Sequence, residues 1–282
     1  MGHRLFVRIT REILPQVKDR YPFIYLEHGR MEVDDSSIKW IDKDCNVVRL
    51  PIATISTVLL GPGTSITHEA IKVLGNSNCL VCWVGEDSLR FYCVGISPTH
   101  DSRNFYRQMR LASNRKTSLE IARRMFAKRF PKAELCGKTL SQMKGMEGYR
   151  VKELYAEMAR KYKVGWKGRS YIPGKIELSD TTNQYLTLAN SMLYALILSV
   201  VWSMGYSPYI GFIHSGSPLP FVYDLSDLYK DYFTIDLSFY LTKECYGEMD
   251  KERLIEEFRI RVLNERLLER IVDDITTLMI EE

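Results

Sequence analysis

The feature that most constrains this chain is a change of period near residue 100. Before it, short β-branched and aromatic runs recur between turn residues: Phe23–Leu26, Ile38–Ile41, Val47–Leu50, Ile55–Leu60, Leu80–Val84 and Phe91–Val94. Asp34-Asp-Ser-Ser37 and Asp42-Lys-Asp44 supply turns, and a short helix is predicted near Thr67–Leu74, capped by Ser65 or Thr67. Beyond it, Phe105, Met109, Ala112, Leu119, Ala122, Met125 and Phe126 fall at helical spacing until Pro131. One basic helix is therefore expected over 103–132. A second should open at Asp180 and run to about Met204, ended by Gly205, its apolar middle buried on all sides. A last one is expected near Asp250–Ile271, with Leu254, Phe258, Val262 and Leu267 as its stripe. The 282 residues allow one large domain or two ordinary ones. The predicted fold is α+β: a small N-terminal β-sandwich-like domain over 1–97, a linker over 98–104, and a larger all-α domain over 105–282.

The longest apolar stretch, Leu193 to Val201, is too short to cross a bilayer, and Met1–Arg8 lacks the apolar segment of a signal peptide. The expected location is the cytoplasm, away from membranes. Cys79-Leu-Val-Cys82 has CxxC spacing but no second pair, and it lies in a strand-like run, so buried reduced thiols are expected. Gly61-Pro-Gly63 lacks the Gly-Lys-Ser/Thr ending of a phosphate loop. Charge is unevenly spread. Residues 101–175 hold 20 Lys and Arg against 6 Asp and Glu, whereas the remainder holds 19 against 29. A middle third this basic is the footprint of a polyanionic partner. Aromatics such as Tyr106, Tyr149, Tyr155 and Trp166 are interleaved with its cations, which suits base stacking beside phosphate contacts.

The chemistry concentrates in residues 211–230, which hold His214, Asp224, Asp227 and Lys230. Acids three residues apart share a helix face, and a histidine across a Gly/Ser/Pro turn can fold back over them. Imidazole with carboxylates is a ligand set for a divalent cation. The plain alternative is that Asp224 caps a helix, that Asp227 answers its N-terminal dipole, and that His214 is a structural core residue. A further acid is needed for a metal site, and Glu147, between Gly145 and Gly148 and among cations, is the best candidate. It could equally be a surface acid paired with Lys144 or Arg150.

Glu147 in Gly-Met-Glu-Gly, His214 in Gly-Phe-Ile-His-Ser-Gly, and Pro220-Phe-Val-Tyr-Asp-Leu-Ser-Asp-Leu-Tyr-Lys230 resemble the CRISPR-associated adaptation integrases, the universal spacer-acquisition nuclease family. The likeness extends to Val84–Arg90 and Ser170–Lys175, covers essentially the whole chain, and is greatest to the type I-E branch. It implies a homodimer, two of which flank a dimer of the small second CRISPR adaptation protein. It implies Mg2+ or Mn2+ bound by Glu147, His214 and Asp227, with Asp224 in the same catalytic motif as support. Arg90, Tyr171, Tyr223 and Lys230 match positions associated with DNA. Ser217 departs from the pattern, standing where many type I-E relatives carry lysine.

The implied reaction is metal-dependent DNA cleavage and integration. The 3′-hydroxyl of a double-stranded prespacer attacks a phosphodiester at the edge of a CRISPR repeat, without a nucleotide cofactor. Three rivals remain open on sequence: a non-catalytic nucleic-acid-binding scaffold, a metal-dependent hydrolase of small phosphate esters, and an orphan integrase acting outside CRISPR arrays.

Overall fold

The computed structural model describes residues 14–34, 37–85, 91–95, 101–131, 133–170 and 178–280. Among the described residues, its N-terminal part is two four-stranded sheets. The first runs β1 (Tyr21–Leu26), β5 (Ile55–Leu60), β7 (Leu80–Val84), β8 (Phe91–Gly95). β1, β5 and β7 are parallel, and β8 is antiparallel to β7. The second runs β4 (Val47–Leu50), β3 (Ser37–Asp42), β2 (Gly29–Asp34), β6 (Thr64–Ile66). Every strand expected from sequence is present, and β2 and β6 are additional. β6 has three residues, too few to show a period. Asp42 closes the β3–β4 turn by accepting from the Asp44 and Asn46 amides. Helix α1 (His68–Asn76) is capped by Thr67, whose hydroxyl accepts from the Ala70 amide.

The parallel sheet is buried on both faces, which is why Ile55–Leu60 and Leu80–Val84 read as continuous apolar runs. Ile55, Val58, Leu60 and Val81 face Met31, Ile38 and Trp40 of the second sheet, together with Ala70 and Leu74 of α1. Phe23, Leu59, Leu80 and Cys82 face the other way, into the helices. There the Phe23 ring lies 5.9 Å from that of Phe258. Cys79 and Cys82 are buried, and desolvation pushes the Cys79 thiol up to about 12.

The helical part corrects two boundaries. The single helix expected over 103–132 is two, α2 (Arg103–Ser113) and α3 (Arg115–Arg129). Asn114 leaves helical geometry, and its Oδ1 accepts from the Lys116 and Thr117 amides. The C-terminal helix is also two, α8 (Lys251–Asn264) and α9 (Leu267–Leu278), separated at Arg266, which is left-handed with φ 49°. Between them lie α4 (Leu140–Tyr162), α5 (Thr181–Ser203), α6 (Pro220–Ser226), a π-helical turn at Asp231–Asp236, and α7 (Leu237–Glu244).

α5 is the central helix. Asp180 caps it by accepting from the Asn183 amide at 3.0 Å, and Gly205 beyond its end is left-handed. The apolar stretch expected to be too short for a bilayer belongs to a 23-residue helix that is long and apolar enough to span one. Its surroundings decide the matter, since 72% of its most apolar window is buried inside the protein. α6, α7 and the π-helical turn all pack on it.

Candidate active site

The site forms where the loop after α5 folds back onto α6. Asp224 lies in the last turn of α6, 1% exposed. Its Oδ2 accepts from the Phe212 and Ile213 amides at 2.6 and 3.0 Å, and its Oδ1 from the His214 amide and Nδ1, both at 2.8 Å. Asp224 is thus no helix cap. It is the anchor of the loop and the orienter of the imidazole. Gly211 makes the wrap tight: a Cβ there would lie 2.6 Å from the His214 carbonyl oxygen and 2.8 Å from Pro220 Cβ. With Nδ1 engaged by Asp224 Oδ1, Nε2 is the ring nitrogen left facing outward. The bond to Asp224 raises the His214 pKa, opposed by burial and assisted by Asp227.

Asp227 follows α6 directly. Its Oδ2 lies 3.9 Å from His214 Nε2, and its Oδ1 accepts from Lys230 Nζ at 2.7 Å. Burial alone would lower the Lys230 pKa, but the Asp227 charge outweighs it and the ammonium stays firmly protonated. Glu147 arrives from the middle of α4, where it is ion-paired with Arg129 at the end of α3. Burial raises the Glu147 pKa and the Asp227 charge adds to the effect, Arg129 opposing both. The Arg129 guanidinium is also 4.0 Å from Asp227 Oδ2 and 3.9 Å from Asp231 Oδ1. Gly145 and Gly148, on either side of Glu147, face open space.

The structure therefore gathers Glu147, His214, Asp224 and Asp227 from α4, the post-α5 loop and α6. The donor set suits a divalent ion: two carboxylates and an imidazole whose free nitrogen faces one of them. Among the described residues, however, no three His, Cys, Asp or Glu side chains converge at ligand distance. Cations instead hold the carboxylates, with Arg129 on Glu147 and Lys230 on Asp227.

Beside His214 opens a groove of about 410 Å³, lined by Tyr223, Lys230, Tyr194, Arg169 and Asn190 among others. Two of the expected DNA-contacting residues, Tyr223 and Lys230, thus share a cavity with the imidazole. Tyr223 stands edge-on to Tyr194 with centroids 5.0 Å apart, and Lys230 Nζ lies 5.2 Å above the Tyr194 ring. The other two, Arg90 and Tyr171, lie outside the described residues. The Ser217 hydroxyl is buried without a hydrogen-bond partner among the described residues.

The basic stretch is less uniform than its sequence. Lys128 pairs with Asp274 at 2.6 Å, Arg124 donates to the Ile280 carbonyl at 3.1 Å, and Arg123 reaches Glu120 at 3.6 Å. Arg129 is turned inward to the acids. Its charge therefore does not join the basic surface expected of residues 101–175, and Asp231, four residues after Asp227 and so at a spacing that shares a helix face, is a further acid of the site.

A family model described as CRISPR associated protein Cas1 matches residues 126–254, the span holding all four gathered residues. CRISPR-associated endonuclease Cas1 2 of Chlorobaculum tepidum is 61% identical over 276 residues, 98% of this chain and 93% of that protein. The crystal structure of a TtCas1–DNA complex matches with a TM-score of 0.69 at 37% identity, covering 94% of this chain and 99% of that one. TM1797, a CAS1 protein from Thermotoga maritima, shares the fold with a TM-score of 0.74 at 14% identity, over 91% of this chain and 96% of its own.

Proposed function

From a chain that belongs to the Cas1 family of CRISPR-associated proteins, we propose a DNA endonuclease and integrase of CRISPR adaptation that depends on a divalent ion. Relatives named as endonucleases and a relative crystallised with DNA support the substrate class. The observation that carries the reading is the His214–Asp224 pair. It fixes the imidazole by Nδ1 and turns Nε2 toward Asp227 Oδ2, an arrangement that suits a metal-ligating histidine.

Glu147, Asp227 and His214 Nε2 would hold Mg2+ or Mn2+, which when bound neutralises charge on the phosphoryl group. Asp224 fixes the loop that presents the imidazole. Lys230 and Arg169 line the groove and suit phosphates, while Tyr223 and Tyr194 offer rings to an unstacked base. A prespacer 3′-oxygen forms a new bond to phosphorus as the bond from phosphorus to the 3′-oxygen of the repeat strand breaks. The attacking hydroxyl gives its proton to solvent and the departing oxygen takes one back. One phosphodiester replaces another, so no nucleotide is consumed. Water in place of the hydroxyl gives endonucleolytic cleavage. The reading includes a homodimer, the small second CRISPR adaptation protein as partner, CRISPR repeat DNA as target, and a cytoplasmic location.

The test is strand transfer by His214→Ala and Asp227→Ala. Both should abolish joining of a prespacer to repeat DNA while leaving duplex affinity nearly unchanged. Full integration by either variant overturns the assignment.

A further inference from the structure

Three carboxylates converge on one guanidinium. Arg129 Nη1 is ion-paired with Glu147 Oε1 and lies 4.0 Å from Asp227 Oδ2, and Nη2 lies 3.9 Å from Asp231 Oδ1. The Arg129 side chain is only 6% exposed, yet its Nε has no hydrogen-bond partner among the described residues. An arginine buried with one donor unsatisfied is held by charge rather than by full hydrogen bonding. The oxygen that it approaches on Asp227 is also decisive. Lys230 takes Oδ1, on the other side, whereas Arg129 and His214 Nε2 both face Oδ2. The guanidinium thus bridges the two carboxylates that the proposed function gives to the divalent ion, and it does so on the side the imidazole faces.

A dication and a guanidinium cannot share that place, because unlike charges at about 4 Å attract strongly and like charges there repel as strongly. We propose that Arg129 is the resident counter-ion of the site and competes with the divalent ion for Glu147 and Asp227. With the ion absent, it holds the two acids together. With the ion bound, it turns toward Asp231, whose side chain is 50% exposed and which is no ligand in the proposed set. Arg129 is a positioning residue in this scheme, and it sets how much free metal is needed before the site assembles. The inference rests on the metal reading above.

Metal affinity tests it directly, without DNA or turnover. Mn2+ would be titrated into the full chain and into Arg129→Met and Arg129→Lys, followed by the loss of free Mn2+ signal in electron paramagnetic resonance. Melting temperatures would be read with and without the ion. Arg129→Met should bind Mn2+ at least tenfold more tightly, about 1.4 kcal/mol. It should melt lower than the parent without metal and gain more on Mn2+ addition. Arg129→Lys should fall between, because a compact ammonium bridges two carboxylates poorly. It carries the test if the methionine variant does not fold. Equal or weaker Mn2+ binding by the variants overturns the competition. Glu147→Gln separates the two readings: if it binds Mn2+ as the parent does, or if no protein binds at all, the metal assignment falls and the competition with it.

Discussion

Asp224→Asn exchanges one carboxylate oxygen for an NH2 and should disable the site by undoing the hydrogen bonds that orient His214. The carboxylate accepts four hydrogen bonds in a pocket without water access, three from backbone amides and one from His214 Nδ1. An amide keeps one oxygen, so two orientations are available. If its NH2 faces Phe212 and Ile213, two buried amides meet a donor. If it faces His214, that backbone amide loses its acceptor and Nδ1 must accept, which drives the imidazole proton to Nε2. The second orientation costs less: one bond to a charged group, about 1.5–3 kcal/mol, with some penalty for the stranded amide. A loss of about 2–4 kcal/mol corresponds to roughly 3–7 °C in melting temperature for a chain of 282 residues. Function should suffer more sharply, since the inverted tautomer points a proton where a lone pair is needed. Losing a partner of this kind typically lowers metal affinity or activity 10–100-fold. Strand transfer, melting temperature and the 15N chemical shifts of the His214 ring should be read together. A variant that melts with the parent, keeps Nδ1 protonated and integrates at the parental rate would refute the reasoning.

Other perturbations probe different parts. Asp236 joins α4 to α8, accepting from Lys161 and Tyr162 at 2.6 and 2.8 Å and from Arg261 at 2.9 Å. Burial works against its charge, but these three partners outweigh it and lower its pKa. Its stabilising contribution is therefore complete above the ordinary carboxylate range and lost as pH falls from there through the lowered folded-state value. Asp236→Asn should cost about 2 kcal/mol at neutral pH, and melting curves should show the gap from the parent closing in acid. Gly211→Ala places a methyl 2.6 Å from the His214 carbonyl oxygen, so strand transfer should collapse while circular dichroism stays helical; an active variant would show the loop to be looser than described. If the basic face binds phosphates, duplex affinity should fall steeply with salt, by roughly 0.9 in log–log slope per phosphate contact. A flat response in fluorescence anisotropy would exclude that mode.

Elements whose physics is local were legible in the sequence, and those that depend on a distant partner were not. Asp180 caps α5 by reaching three residues along its own chain, and Pro131 ends a helical pattern wherever it stands. α4 was hidden because Gly145 and Gly148 weaken a helix by about 1 kcal/mol each relative to alanine. What holds α4 is partly visible after all: Thr139 and Gln142 form a reciprocal capping box, a spacing that announces a helix start. Lys128 and Arg129 are neighbours in sequence and identical to any charge count. One turns out to Asp274 and the other in to Glu147, because successive helical residues point about 100° apart. Only the packing of α3 beside α4 decides which is which.

The same reasoning separates acids that a motif treats alike. Asp224 and Asp227 stand three apart in one string, which suggests twin ligands. Every acceptor position of Asp224 is taken by the loop it anchors, so it has nothing left to offer an ion. Asp227 keeps Oδ2 toward the imidazole and, among the described residues, shares it only with the guanidinium of Arg129. The two losses should therefore differ in kind. Removing Asp227 takes away charge where the reaction needs it, and a glutamate there can in principle restore it. Removing Asp224 leaves the Asp227 charge in place and lets the histidine drift, and a longer carboxylate cannot repair that, because the loop is fitted to this side-chain length through Gly211.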